Sequence, residues 1–123
     1  MSTLTVTNIK ATGEAASRAV SGVAAAWINF DGDAGTNTIR DSNNATSLVD
    51  NGIGDYSFSY VSSLSNDDYS AVCSASNQAA SNTDTMVNPY TWATGSLSIG
   101  TNNNAGTITD RNTVNVTIHG DLA

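Results

Sequence analysis

From Trp27 onward apolar residues recur at every second position, the period of a strand with one buried face. Tyr56, Phe58 and Tyr60 alternate with Ser57 and Ser59, placing three aromatics on one side. Val114, Val116 and Ile118 alternate with Asn115, Thr117 and His119. Tyr69, Ala71, Cys73 and Ala75 share a face of another strand, and Leu97 and Ile99 mark one more. Shorter strands are expected over residues 27–30, 39–40 and 47–49. Residues 85–92 carry Met86, Val87, Tyr90 and Trp92 but are interrupted by Pro89, so they form an edge strand or an ordered loop. Turn chemistry separates these runs: Asp41-Ser42-Asn43-Asn44, Asp50-Asn51-Gly52-Ile53-Gly54-Asp55, Ser65-Asn66-Asp67-Asp68 and Thr101 to Gly106. Residues 77–84 form a polar loop. Seven or eight short strands with frequent turns predict an all-β domain, an antiparallel β-sandwich of jelly-roll-like kind.

The first 26 residues follow a different pattern. Residues 4–7 alternate and predict a short strand. Residues 14–26 place Ala15, Ala16, Ala19, Val20, Val23 and Ala24 on a narrow stripe at helical spacing, with Glu14 in the first turn, where a negative charge suits the helix dipole. A short, Ala-rich helix is marginal alone, so it needs a partner surface: the following domain, copies of itself or another protein. The expected division is an N-terminal arm or helix over 1–26 and a β-sandwich over 27–123. Leu4, Val6, Ile9, Ala16, Val20 and Val23 are the candidate residues for attachment and oligomerisation.

Composition narrows the function classes. The chain has 123 residues, of which 16 are Ser, 16 Thr and 15 Asn, and its net charge is −7. Four scattered basic residues, Lys10, Arg18, Arg40 and Arg111, cannot form the cationic stripe that neutralises phosphates, so no nucleic acid is expected as a partner. Attraction to anionic lipid is disfavoured for the same reason, and no apolar run approaches the roughly 18 residues of a membrane-spanning helix. No charged n-region followed by an apolar core opens the chain, so no secretory leader is expected. Cys73 is the only cysteine, which excludes an intramolecular disulfide.

Candidate chemistry is sparse. Cys73 falls on an apolar strand face and reads as a small buried hydrophobe. His119 is the only imidazole, on the polar face of the last strand, and no G-x-S-x-G accompanies it. Asp31 and Asp33 flank Gly32, and Asp67 adjoins Asp68. Such pairs can serve Ca²⁺, but they lack the further ligands of an EF-hand loop and read as turn residues. No cofactor, metal site or catalytic residue is expected, and the chain is not expected to be an enzyme. Asn44-Ala45-Thr46 and Asn115-Val116-Thr117 are glycosylation sequons that matter only in a secretory pathway. Among the aromatics, most sit on alternating strand faces that suit a core. Tyr90 and Trp92, beside Pro89, are the candidate glycan contacts.

The runs Ala26-Trp27-Ile28-Asn29-Phe30-Asp31-Gly32, Ile39-Arg40-Asp41-Ser42, Asp50-Asn51-Gly52-Ile53-Gly54-Asp55-Tyr56 and Asn66-Asp67-Asp68-Tyr69 occur in this order and spacing. The spaced combination resembles a β-rich domain of tail-fibre and other virion structural proteins of tailed bacteriophages, notably marine ones. The resemblance covers about residues 24–76, and residues 1–9 look like the start of short phage fibre-like proteins. It implies a non-enzymatic virion component and a homotrimer. A short tail fibre would be anchored to other virion proteins through the N-terminal arm and would expose the β-domain to host surface glycans. A capsid decoration or cement protein, and a carbohydrate-binding module without a virion role, are the alternatives. Arg40 beside Asp41 is a candidate ion pair, buried or between subunits.

Overall fold

The computed structural model describes residues 2–9, 12, 18–19, 23–33, 35, 37–77 and 85–123. Among them the chain forms ten β-strands and no helix: β1 (Asn8–Ile9), β2 (Arg18–Ala19), β3 (Ala26–Asp31), β4 (Thr38–Asn43), β5 (Ala45–Gly52), β6 (Asp55–Tyr60), β7 (Ser70–Ser76), β8 (Thr85–Ala93), β9 (Ser96–Asn103) and β10 (Thr113–His119). Eight of them build two antiparallel four-stranded sheets, ordered β4-β3-β10-β7 and β5-β6-β9-β8. The small sheet β1-β2 stands before them. The expected antiparallel sandwich is therefore present, with every sandwich strand predicted from period two recovered.

The inward positions of both sheets meet in one core. Ile28 and Phe30 of β3, Tyr56 and Phe58 of β6, Leu97 and Ile99 of β9, and Val114, Val116 and Ile118 of β10 are all fully buried. Each such side chain contributes about 1.5–3 kcal/mol relative to exposure. Aromatic rings bridge the layers edge to face: Phe30 and Tyr56 lie 5.2 Å apart between centroids, Tyr60 and Tyr69 6.0 Å. Outward positions hold the small polar residues. Asn29 donates to Asn115, and Asn115 donates to Ser74 across three neighbouring strands of the first sheet. Ser57 stands opposite Ser98, and Ser59 opposite Ser96, on the second.

Three of the four sheet edges are bulged. In β4 the extra residue is Arg40, between Ile39 and Asp41, which pair with Phe30 and Asn29. In β8 it is Tyr90, between Pro89 and Thr91, which pair with Ile99 and Ser98. Edge strand β5 shifts register twice against β6, between Thr46 and Val49 and between Asp50 and Gly52. Bulges twist an exposed edge away from pairing with another chain.

The N-terminal region departs from expectation. Arg18 and Ala19 lie within the span predicted to be helical, yet they pair as a strand with Ile9 and Asn8. Glu14, Ala15, Ala16 and Val20 lie outside the described residues. The stripe of small residues thus marks no helix where the chain is described: a few alanines at helical spacing supply too little apolar surface to decide between local conformations. The strand expected over 4–7 is also not formed; the first strand starts at Asn8. The sandwich takes in Ala25, whose N–H donates to the Ile118 carbonyl at 2.8 Å, and Ala26, the first residue of β3, just before the expected boundary at Trp27.

Asn44 turns the chain from one sheet to the other. Its φ is +53°, its side-chain amide donates to the carbonyls of Ala25 (3.1 Å) and Ser62 (3.0 Å), and its Oδ1 accepts the Ser62 N–H (2.7 Å). The sequon nitrogen at this position is thereby committed to the fold.

Candidate functional site

Polar side chains gather at one end of the sandwich, where β3, β4, β6 and the segment before β10 meet. The Arg40 guanidinium lies 2.8 Å from Asp31 Oδ2 and donates to Thr113 Oγ1 (3.1 Å) and to the Asn112 carbonyl. Within the chain the expected pair with Asp41 does not form. Asp41 instead accepts the Ser42 N–H at 2.9 Å. The bulge breaks the alternation of β4 and leaves both Arg40 and Asp41 exposed, with Arg40 aimed at the neighbouring strand end, where Asp31, Thr113 and the Asn112 carbonyl take up its guanidinium.

Beneath this pair the Tyr56 hydroxyl lies 2.9 Å from the Gly32 carbonyl and 3.0 Å from Asp110 Oδ1 and shares its proton between them. Asp110 Oδ1 also accepts the Gly54 N–H at 2.6 Å. Burial, followed by the Asp110 carboxylate, drives the Tyr56 ionisation well above its ordinary range. Gly32 has to be glycine, because a Cβ there would sit 2.6 Å from the Tyr56 ring. The Tyr56 hydroxyl, the Asp110 Oδ1 and the Arg40 guanidinium thus all have partners within the protein.

Side-chain oxygens of Asp and Asn also hold turns. Asp31 Oδ1 accepts the Asp33 N–H (3.1 Å), Asp50 Oδ1 the Gly52 N–H (2.9 Å), and Asn66 Oδ1 the Asp68 N–H (3.0 Å). Among the described residues no three His, Cys, Asp or Glu side chains gather in a metal-binding group. Cys73 lies on the inner face of β7, where burial pushes its thiol up to about 11. That shift suppresses the nucleophilic thiolate. His119 stands opposite Ser70 on the other face of β10.

The bulge at Tyr90 decides the fate of the two candidate glycan contacts. In an unbroken strand, residues 90 and 92 would share a face. The extra residue breaks that parity. Trp92 pairs with inward-facing Leu97 and stacks on Tyr69 at 5.0 Å between centroids, leaving 36 % of it exposed at the sheet edge. Tyr90 turns to the outer face of the second sheet, 52 % exposed, and its hydroxyl donates to Asp55. This bond comes first among the causes that raise its ionisation. The two residues therefore belong to different surfaces.

Tyr90 forms one wall of a cleft of about 300 Å³. Asp55, Asn88, Gly100, Asn102 and Ile108 are among its other residues. Asp55, Gly100 and Asn88 are opposite one another on β6, β9 and β8. Gly100 leaves the floor open: a Cβ there would meet only backbone oxygens at 3.9 Å. Asn88 donates to Asn102 at 2.9 Å along the rim. Apart from Tyr90, these residues escape the period-two reading, which selects apolar positions. Their signal is a glycine inside a strand, Gly100, facing a proline-adjacent aromatic.

Of the attachment candidates, Leu4, Val6 and Val23 are exposed, Leu4 to 84 %. Ile9 is a β1 residue paired with Arg18. Ala16 and Val20 lie outside the described residues. Comparison of the chain with protein-family models, curated proteins and solved structures returned no match.

Proposed function

We propose that the chain is a non-enzymatic structural protein of a tailed-phage virion, a short fibre or fibre-like appendage whose β-sandwich faces outward for host contact. The observation that carries this reading is where the phage-like sequence runs fall. Asp31, Gly32, Arg40, Gly54 and Tyr56 all belong to them, and all are joined in the hydrogen-bonded end of the sandwich. The likeness is thus largely one of scaffold, in which Asp31 and Asp50 hold turns and Asp31 also holds Arg40. Outward ladders of Ser and Asn suit a subunit that stays solvated at high local density. Exposed Leu4, Val6 and Val23 supply apolar surface for assembly, as a homotrimer and on other virion proteins.

Cryo-electron microscopy or immunogold labelling of the phage that encodes the chain tests the placement. Density or label at the tail is expected. Label over the capsid shell makes it a decoration protein, and its absence from purified virions overturns the virion reading. Light scattering coupled to size exclusion tests the assembly: a trimer is expected, and a monomer at micromolar concentration removes it.

A further inference from the structure

The cleft under Tyr90 has the form of a binding subsite, and we infer that it takes one neutral pyranose unit of a glycan. Its volume of about 300 Å³ is at the lower end of small-ligand pockets. Its walls differ in kind. Tyr90 and Ile108 offer exposed apolar surface in its lining. Asp55, Asn88 and Asn102 add a carboxylate and two amides. A sugar ring needs this pairing: an apolar C–H face against an aromatic, and hydroxyls toward planar acceptors and donors.

The polar groups are held in place before any ligand arrives. One Asp55 oxygen takes the Tyr90 hydroxyl, which fixes both side chains. A carboxylate has a second oxygen, and hydroxyl donors bind it with charge-assisted strength. The Asn88–Asn102 bond orients both amides and uses one donor and one acceptor of the four groups they carry. This pre-organisation reduces the ordering cost of binding. Among the described residues the lining holds one carboxylate and neither Lys nor Arg, so uronate, sialate, phosphate and sulfate are disfavoured. Gly100 makes the depth, since any larger residue would stand where the ring lies.

The inference deepens the host-contact role proposed above, on which its biological meaning rests. It is tested on the purified full chain by amide NMR. The probes are neutral methyl pyranosides of gluco, galacto and manno configuration and their N-acetylated forms, with glucuronate as the anionic control, each taken into the millimolar range. At least one neutral probe should give saturable shifts centred on Gly54, Asp55, Gly100 and Asn102, and glucuronate should give none. Gly100→Val fills the floor and should abolish them; Tyr90→Ala, at an exposed position, should weaken binding by about tenfold or more. The inference is overturned if no neutral probe saturates, if glucuronate binds equally, or if both variants bind as the parent does. A chain absent from virions that still binds leaves the cleft standing, and a virion protein that binds none of the probes removes the cleft alone.

Discussion

Asp55 and Tyr56 are neighbours in β6, and they lead into two regions built from the same parts. Tyr56 points inward to the closed end, where a tyrosine hydroxyl meets Asp110 and a bulged edge residue, Arg40, meets Asp31. Asp55 points outward to the cleft, where a bulged edge residue that is itself a tyrosine, Tyr90, meets an aspartate. The chemistry is alike and the consequences differ, because one region is packed and the other is open. Around Tyr56 the bonds replace water that the fold has excluded, so losing a partner leaves a buried group unsatisfied, whereas the Arg40–Asp31 pair at the rim of this end keeps some solvent. In the cleft water can replace any partner, and so can a ligand. A polar cluster is therefore a strut or a site according to what surrounds it.

The sharpest way to break this contrast is to truncate the two tyrosines. Tyr56→Ala should cost about 3–5 kcal/mol in urea unfolding, and Tyr90→Ala should stay within about 0.5 kcal/mol of the parent. Equal losses would mean that the cleft is as structural as the closed end. The two glycines give a smaller effect of the same kind. Gly32→Ala drives a methyl into the Tyr56 ring and should cost about 1–3 kcal/mol. Gly100→Ala meets only ordinary contacts and should leave stability unchanged or slightly raised.

Alkaline titration separates the buried from the exposed hydroxyls. Burial raises the ionisation of Tyr56, Tyr60 and Cys73 in the folded state. The unfolded chain therefore releases protons first, and stability is full below these groups' ordinary values of 9.0 for the thiol and 10.0 for the phenols, then falls as pH rises above them. Absorbance of phenolate should show Tyr56 and Tyr60 ionising only with loss of the fold, as followed by circular dichroism in parallel. Phenolate from all tyrosines before unfolding would contradict their burial. The smallest effect belongs to the ion pair. Asp31→Asn removes a charge that is partly solvated and should cost about 1 kcal/mol or less, reduced further by salt.

Much of this architecture was legible in the chain. The alternation of Tyr56-Phe58-Tyr60 and of Val114-Val116-Ile118 named inward faces correctly, because in a strand side-chain direction is a local property with period two. Pro89 marked an edge strand for an equally local reason, its missing N–H. The N-terminal stripe misled because helical spacing of small residues carries little burial energy, and Arg18 and Ala19 take strand partners instead. Within the chain the Arg40–Asp41 pair misled because the bulge at Arg40, set by the register with β3, hands its guanidinium to Asp31.

Period two and turn chemistry by themselves determined that this chain is a sandwich of short antiparallel strands, since both act within a few residues. They did not determine where an extra residue enters an edge. That depends on which positions of two strands are paired across the sheet, a relation between residues far apart in the chain. Tertiary structure alone placed Arg40 on Asp31, turned Tyr90 away from Trp92, and put Asp55, Asn88 and Gly100 in one row. The cleft exists because three strands bring those positions together, and no local run of the sequence contains it.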